Sequence, residues 1–133
     1  MHVKTRDLPI KMNALGATAR HLGDFGAAHG PLAAEHLRLA AGVDIAPLLA
    51  GLDDGLCFAA HWGYLVSGRV VVTYGDGSTE TCAAGEVVHW PAGHTVRVEE
   101  DTELIMFSPA AEHLAVMNHM LEVLATIPAQ PVG

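Results

Sequence analysis

From Cys57 to Pro109 the chain repeats one rhythm, a short apolar or alternating run closed by glycine or a turn pair. "CFAAHWGYLVSG" predicts a strand that stops at Ser67-Gly68, and "RVVVTY" a second that stops at "GDG", an Asp-Gly signal of the hairpin type. "STETCAAG", "EVVHWPAG", "HTVRVEED" and "TELIMFSP" continue the series. Short strands at near-even spacing predict a sandwich or barrel. Upstream, "AEHLRLAAG" alternates through His36, Leu37, Arg38 and Leu39 before Gly42, a half-buried strand, and "VDIAPLLAGLDDG" is an irregular connection broken at Pro47. Between Met1 and Gly30 the glycines at 16, 23, 26 and 30 interrupt any helix begun by "ALGATARHL", which leaves loop and one short strand.

After Pro109 the period changes. Leu114, Met117, Leu121 and Leu124 fall at helical spacing, which predicts a terminal helix over about 109–127 with Ser108 and Pro109 as N-cap and N1 and Pro128 as the stop. Its stripe is expected to cover the barrel's outer side or to meet a second subunit. The chain thus divides into an N-terminal segment (1–34), a barrel (35–109) and a helix with tail (110–133). "LAVMNHMLEVL" offers more apolar surface than one small barrel covers, and edge strands need protection, so a homodimer is expected, with the N-terminal segment a candidate for exchange.

At 133 residues, half of them apolar and 17% charged, the chain is one globular domain. Seven Lys+Arg against fifteen Asp+Glu give a net charge of −8, with the basic residues scattered singly, which argues against nucleic acid as a partner. The start has no apolar signal region and no segment has the length of a membrane span, so a cytoplasmic, membrane-free protein is expected. In such a compartment a structural disulfide between Cys57 and Cys82 is the weaker expectation. Nine histidines decide nothing by number alone. The sequence shows no Ser-His-Asp order, no phosphate-cradling glycine loop and no carboxylate pair on one strand face.

"GEVVHWPAG" resembles the second motif of the cupin superfamily, with Gly85, Pro91 and Gly93 in register, and "HWGYLVSGRVVV" resembles the end of the first motif with Gly68 as its closing glycine. The resemblance runs from about Glu35 to Pro109 and extends to small single-domain cupins. It implies an all-β fold, an antiparallel jelly-roll barrel with the C-terminal α-helix added, and a metal held inside by a His-x-His pair, a glutamate and a histidine of the second motif. This chain departs from that set. Gly55 and Cys57 fall on the His-x-His positions, His61 falls on the glutamate, and Val96 stands where the last histidine is expected, with His94 two residues earlier.

Cys57, His61 and His94 remain as candidate ligands. Cys57 and His61 are an even number of residues apart, and His94 shares parity with Val96, so all three are expected to face the lumen. A thiolate with two imidazoles suits a divalent ion such as Zn, Fe, Ni or Mn and leaves a position open. Each also has a plainer reading: Cys57 as a small buried hydrophobe, His61 as a core histidine bonded to a carbonyl, His94 as a turn cap. Trp90 is expected to wall the substrate pocket or fill the barrel, His89 to face outward, His36 to lie at a surface or interface, and His113 and His119 to be solvated helix positions. Two function classes follow: a metal-dependent cupin enzyme, of oxygenase or isomerase type, acting on a small-molecule ligand in the barrel, or a non-catalytic metal or ligand-binding module. A structural oligomer with a packed barrel is a third.

Overall fold

The computed structural model describes residues 5–25 and 27–128; residues 1–4 of the N-terminal segment, Gly26 and the tail at 129–133 lie outside the described residues. A hairpin opens the chain. Strands β1 (Ile10–Ala14) and β2 (Ala17–Leu22) pair through Leu15-Gly16, both at positive φ (54° and 80°), a turn whose twist matches that of its strands. The reading of this region as loop with one short strand is corrected here. Ala17, Ala19 and His21 are buried in turn, a period of two that small alanines had disguised as an interrupted helix.

The order continues with β3 (Leu32–Leu39), two 3-10 turns (Ala46–Leu49 and Asp53–Gly55), β4 (His61–Tyr74), β5 (Thr79–Ala83), β6 (Val87–Trp90), β7 (His94–Pro109) and helix α1 (Ala110–Thr126). The sheet runs β1-β2-β3-β7-β4-β5, with β6 paired to β4. Every pair is antiparallel. This is the expected all-β architecture with one terminal helix.

Two long strands replace four predicted short ones. Ser67-Gly68 does not end β4, and Asp101-Thr102 does not end β7; the two run together through this point with register shifts between Leu65 and Val70. The irregularity moves the inward phase of β4 by one residue, from His61 and Leu65 to Val70 and Val72. Gly68 adopts φ +94°, and a Cβ there would lie 2.3 Å from Thr102 Oγ1 and 2.4 Å from the Asp101 carbonyl oxygen. A glycine with positive φ serves a bulge as readily as a turn, which is why the sequence signal was read as a strand end.

The core joins both ends of the barrel: Leu49, Leu65, Val70, Val72, Val98 and Leu104 are almost fully buried. Helix α1 buries His113, Val116, Met117 and Met120. This turns the helix away from the predicted stripe, because Leu114 is exposed while Met117 is shared by both faces. The buried set lines an interior cavity, so the helix closes the inside of the barrel instead of coating its outer side. Pro109 takes the N-cap position without a side-chain bond, and Ser108 is engaged elsewhere.

Gly68→Ala is expected to lower unfolding free energy by about 2–4 kcal/mol, combining left-handed strain with the clash against β7. Gly77→Ala, also at positive φ but with open space around it, is expected to cost only about 1 kcal/mol. Denaturant midpoints measure both, and equal losses would mean that Gly68 is not a point of close backbone approach.

Candidate metal centre

Cys57 precedes β4 as an isolated bridge partner of His94: its N–H donates to the His94 carbonyl at 2.9 Å, and the Cys57 carbonyl accepts from Gly93 N–H at 2.7 Å. His61 is the first residue of β4 and His94 the first of β7. All three side chains are buried, and their donor atoms lie within 4.8 Å of one another. Cys57 Sγ is 3.6 Å from His61 Nε2, and the two imidazoles meet edge to face with centroids 5.0 Å apart. The three residues expected to converge do so, although Cys57 reaches the site from its bridge to His94 and not from the same strand as His61, as strand parity had assumed.

The outer nitrogens are tied back. His94 Nδ1–H donates to the Pro91 carbonyl at 2.7 Å, and His61 Nδ1 is 2.6 Å from Ser108 Oγ. Both bonds fix ring direction with Nε2 as the inward atom; the Pro91 carbonyl also fixes the tautomer of His94, and the Ser108 hydroxyl, which can accept from Nδ1–H, accommodates the same tautomer at His61. Burial holds His61 well below the ordinary histidine value, helped by the neighbouring His94 and His113 rings, and burial lowers His94 against the opposing pull of its Pro91 bond. Burial pushes the Cys57 thiol up to about 11. Both rings are therefore neutral donors at neutral pH, and the thiol is a donor whose proton a cation must displace. Two soft-to-borderline nitrogens and one sulfur, buried and preoriented, fit a divalent transition metal.

Trp90 faces inward, nearly fully buried, with its ring 6.3 Å from that of His61, and lines a cavity of about 70 Å³ beside the three donors. His89 is exposed and stacks on Trp62 at 4.6 Å. His36 is buried, not a surface residue, because Glu103 covers it with an oxygen 3.6 Å from its Nε2. His113 is likewise not solvated. It is 3% exposed, 2.6 Å from Glu35 Oε1 and edge-on to His61 at 5.4 Å. Its signal was present in the sequence: it stands three, four and seven residues before Val116, Met117 and Met120, on one helix face. His119 is half-buried and bonds the Ala50 carbonyl at 2.6 Å. Ser108, Glu35 and His113 are the residues that sequence reasoning missed. Cys57 and Cys82 are both free thiols.

No protein-family model matches the chain, and no curated protein sequence matches it. Solved structures do. An RmlC-like cupin from Shewanella frigidimarina superposes with TM-score 0.57 at 21% identity, over 84% of this chain and 93% of its own. The fold is that of the cupins. The polyketide cyclase RemF from Streptomyces resistomycificus is similar at TM-score 0.57 and 16% identity, covering 83% of this chain and 79% of that one. Ectoine synthase from P. lautus is similar at 0.58 and 14%, covering 83% and 78%. The Cys57, His61 and His94 convergence thus lies inside a cupin barrel. Among the described residues no helix is long and apolar enough to cross a membrane.

Because the folded protein holds His61 and His94 below 6.5, the unfolded chain binds more protons than the native one once pH drops under that value. Stability of the metal-stripped protein is therefore full above about pH 7 and is lost as pH falls through 6.5 toward the native values. Urea midpoints at pH 7.5 and 5.0 measure the fall, and His61→Phe is expected to make it shallower. An unchanged slope in that variant would mean that His61 is not buried neutral.

Proposed function

We propose that this cupin is a metal-dependent enzyme of small molecules, holding one divalent ion on Cys57 Sγ, His61 Nε2 and His94 Nε2. The observation that carries the reading is the convergence of three buried donors whose other ring nitrogens are already bonded, with a cavity directly beside them. Three protein ligands leave a coordination position free, the style of catalytic rather than structural sites. A bound ion supplies Lewis-acid polarisation or an activated oxygen species to whatever occupies the cavity.

The chain's own residues do the rest. Ser108 and the Pro91 carbonyl hold the imidazoles in place, Trp90 and the methionines of the cavity wall exclude water, and the closing helix limits the size of an occupant. A packed structural barrel is disfavoured by that cavity. Zinc and iron suit the mixed sulfur and nitrogen donors better than manganese does. We also place the protein in the cytoplasm, where two free thiols are at home. A homodimer formed through the outer face of β4 and β6, where Trp62, Tyr64, Val66 and Val87 are exposed, completes the reading; a strict monomer in sedimentation at micromolar concentration contradicts that part.

Untagged protein is expected to purify with about one metal ion per chain by elemental analysis. Cobalt substitution is expected to give a near-ultraviolet sulfur-to-metal charge-transfer band. Cys57→Ser abolishes the band and weakens metal retention roughly 10-fold or more, while Cys82→Ser changes neither. A Cys57→Ser protein that binds metal like the parent makes the thiol a packing residue and removes it from the site.

A further inference from the structure

Glu35 stands on β3 with its side chain in the cavity wall and 2% of its surface exposed. Among the described residues no lysine or arginine lines that cavity. Near the carboxyl stand His113, whose Nε2 is 2.6 Å from Oε1, and His21, the cross-strand partner of Glu35, which stacks on His113 with centroids 5.2 Å apart. The Glu35 and His113 atoms are close enough for an ion pair but are not aligned as a hydrogen bond, and Glu35 Oε1 has no hydrogen-bond partner. Neither has His113 Nδ1 nor His21 Nε2. Of five such buried side-chain atoms among the described residues, three belong to this one cluster; Glu35 and His113 line the cavity, as does Trp90, whose Nε1 is also without a partner, while His21 stands behind His113. Buried polar groups are nearly always paired, and a group of orphans at a cavity marks the place where an occupant supplies the missing bonds.

The cluster also sits one side-chain layer from the donor trio, since the His113 ring is 5.4 Å from that of His61. We propose that Glu35 and His113 are the substrate-orienting pair of this cavity. They receive the hydrogen-bond-donating end, a hydroxyl or amine, of a short molecule whose other end reaches the ion at Cys57, His61 and His94. This rests on the metal reading above. A cavity near 70 Å³ is about half of one that holds benzene, so as it stands it admits on the order of three non-hydrogen atoms. Met12, Met106, Met117 and Met120 line it, and their flexible thioethers re-pack to admit a few more. The ligand class is therefore a short hydroxy or amino acid. A dicarboxylate is disfavoured, because its second carboxyl sets acceptor against acceptor at Glu35.

The test is an amide NMR titration of the full zinc-loaded chain with acetate, glycolate, glycine and oxalate, with metal content measured in parallel for the parent and for Glu35→Met. Glycolate or glycine is expected to bind about 10-fold more tightly than acetate, the yield of one hydrogen bond to a charged or strongly polar acceptor. Glycolate alone assigns a hydroxyl and glycine alone an amine. In Glu35→Met the preference falls below about threefold while zinc stays bound; if that variant does not fold, His113→Met is expected to show the same loss. Equal binding of acetate and glycolate by the zinc-loaded parent, binding of neither glycolate nor glycine, or a preference that survives Glu35→Met overturns the proposal. If the parent holds no metal, the metal reading fails by itself. The pair is then read on the metal-free chain with 2-propanol against acetone, which match in size and differ in the donor, and equal affinities overturn it.

Discussion

The curl of one two-stranded ribbon sets everything else. His61 and Tyr74 are the ends of β4, thirteen residue steps apart, which at strand rise is about 43 Å of extended chain. His94 pairs with Tyr74 at the far end, yet its imidazole lies 5.0 Å from that of His61. β4 and β7 therefore bend together through most of a circle, and their register shifts where Gly68 lets Asp101 and Thr102 approach its backbone. The bridge between Cys57 and His94 closes the circle. Each donor of the candidate centre comes from a terminus of this ribbon or from the bridge that joins its ends.

Closure also explains the electrostatics. Side chains facing the inside of so tight a curl lose water, and the groups that remain there are those able to be neutral, imidazoles and a thiol, together with one carboxyl paired to a histidine. Hydrogen bonds from the ribbon itself then decide which ring atoms stay free: Ser108 near the end of β7 takes His61 Nδ1, and the Pro91 carbonyl just before β7 takes His94 Nδ1. A thiol near 11 remains protonated until a cation competes for it, so the donor trio carries no charge of its own and is prepared for a cation.

The glycine and Pro-x-Gly spacing was enough for the barrel, and the three candidate donors do converge, but strand parity does not account for Cys57: β4 begins only at His61, and Cys57 is brought in by its bridge to His94. The remainder depended on phase relations between elements. Gly68 has the same sequence signature whether it ends a strand or bends one, so β4 read as two strands, and the polar run through Asp101 and Thr102 split β7 in the same way. Helix α1 has two overlapping stripes that share Met117, and only packing against the barrel selects the one containing His113. A buried histidine counts as polar in any hydrophobic pattern, which placed His113 in solvent. Ser108 looked like a cap because it precedes a proline and a helix; its partner is His61, 47 residues away. Glu35 is one residue from His36 in a strand buried on both faces, so alternation could not tell which of them pointed inward.

X-ray absorption at the zinc edge of the zinc-loaded protein tests the centre most directly. Ligation by Cys57, His61 and His94 gives one sulfur at about 2.3 Å together with nitrogen or oxygen scatterers at about 2.0–2.1 Å, including the outer-shell pattern of two imidazoles. A spectrum with only nitrogen and oxygen neighbours, or with no imidazole scattering, contradicts it.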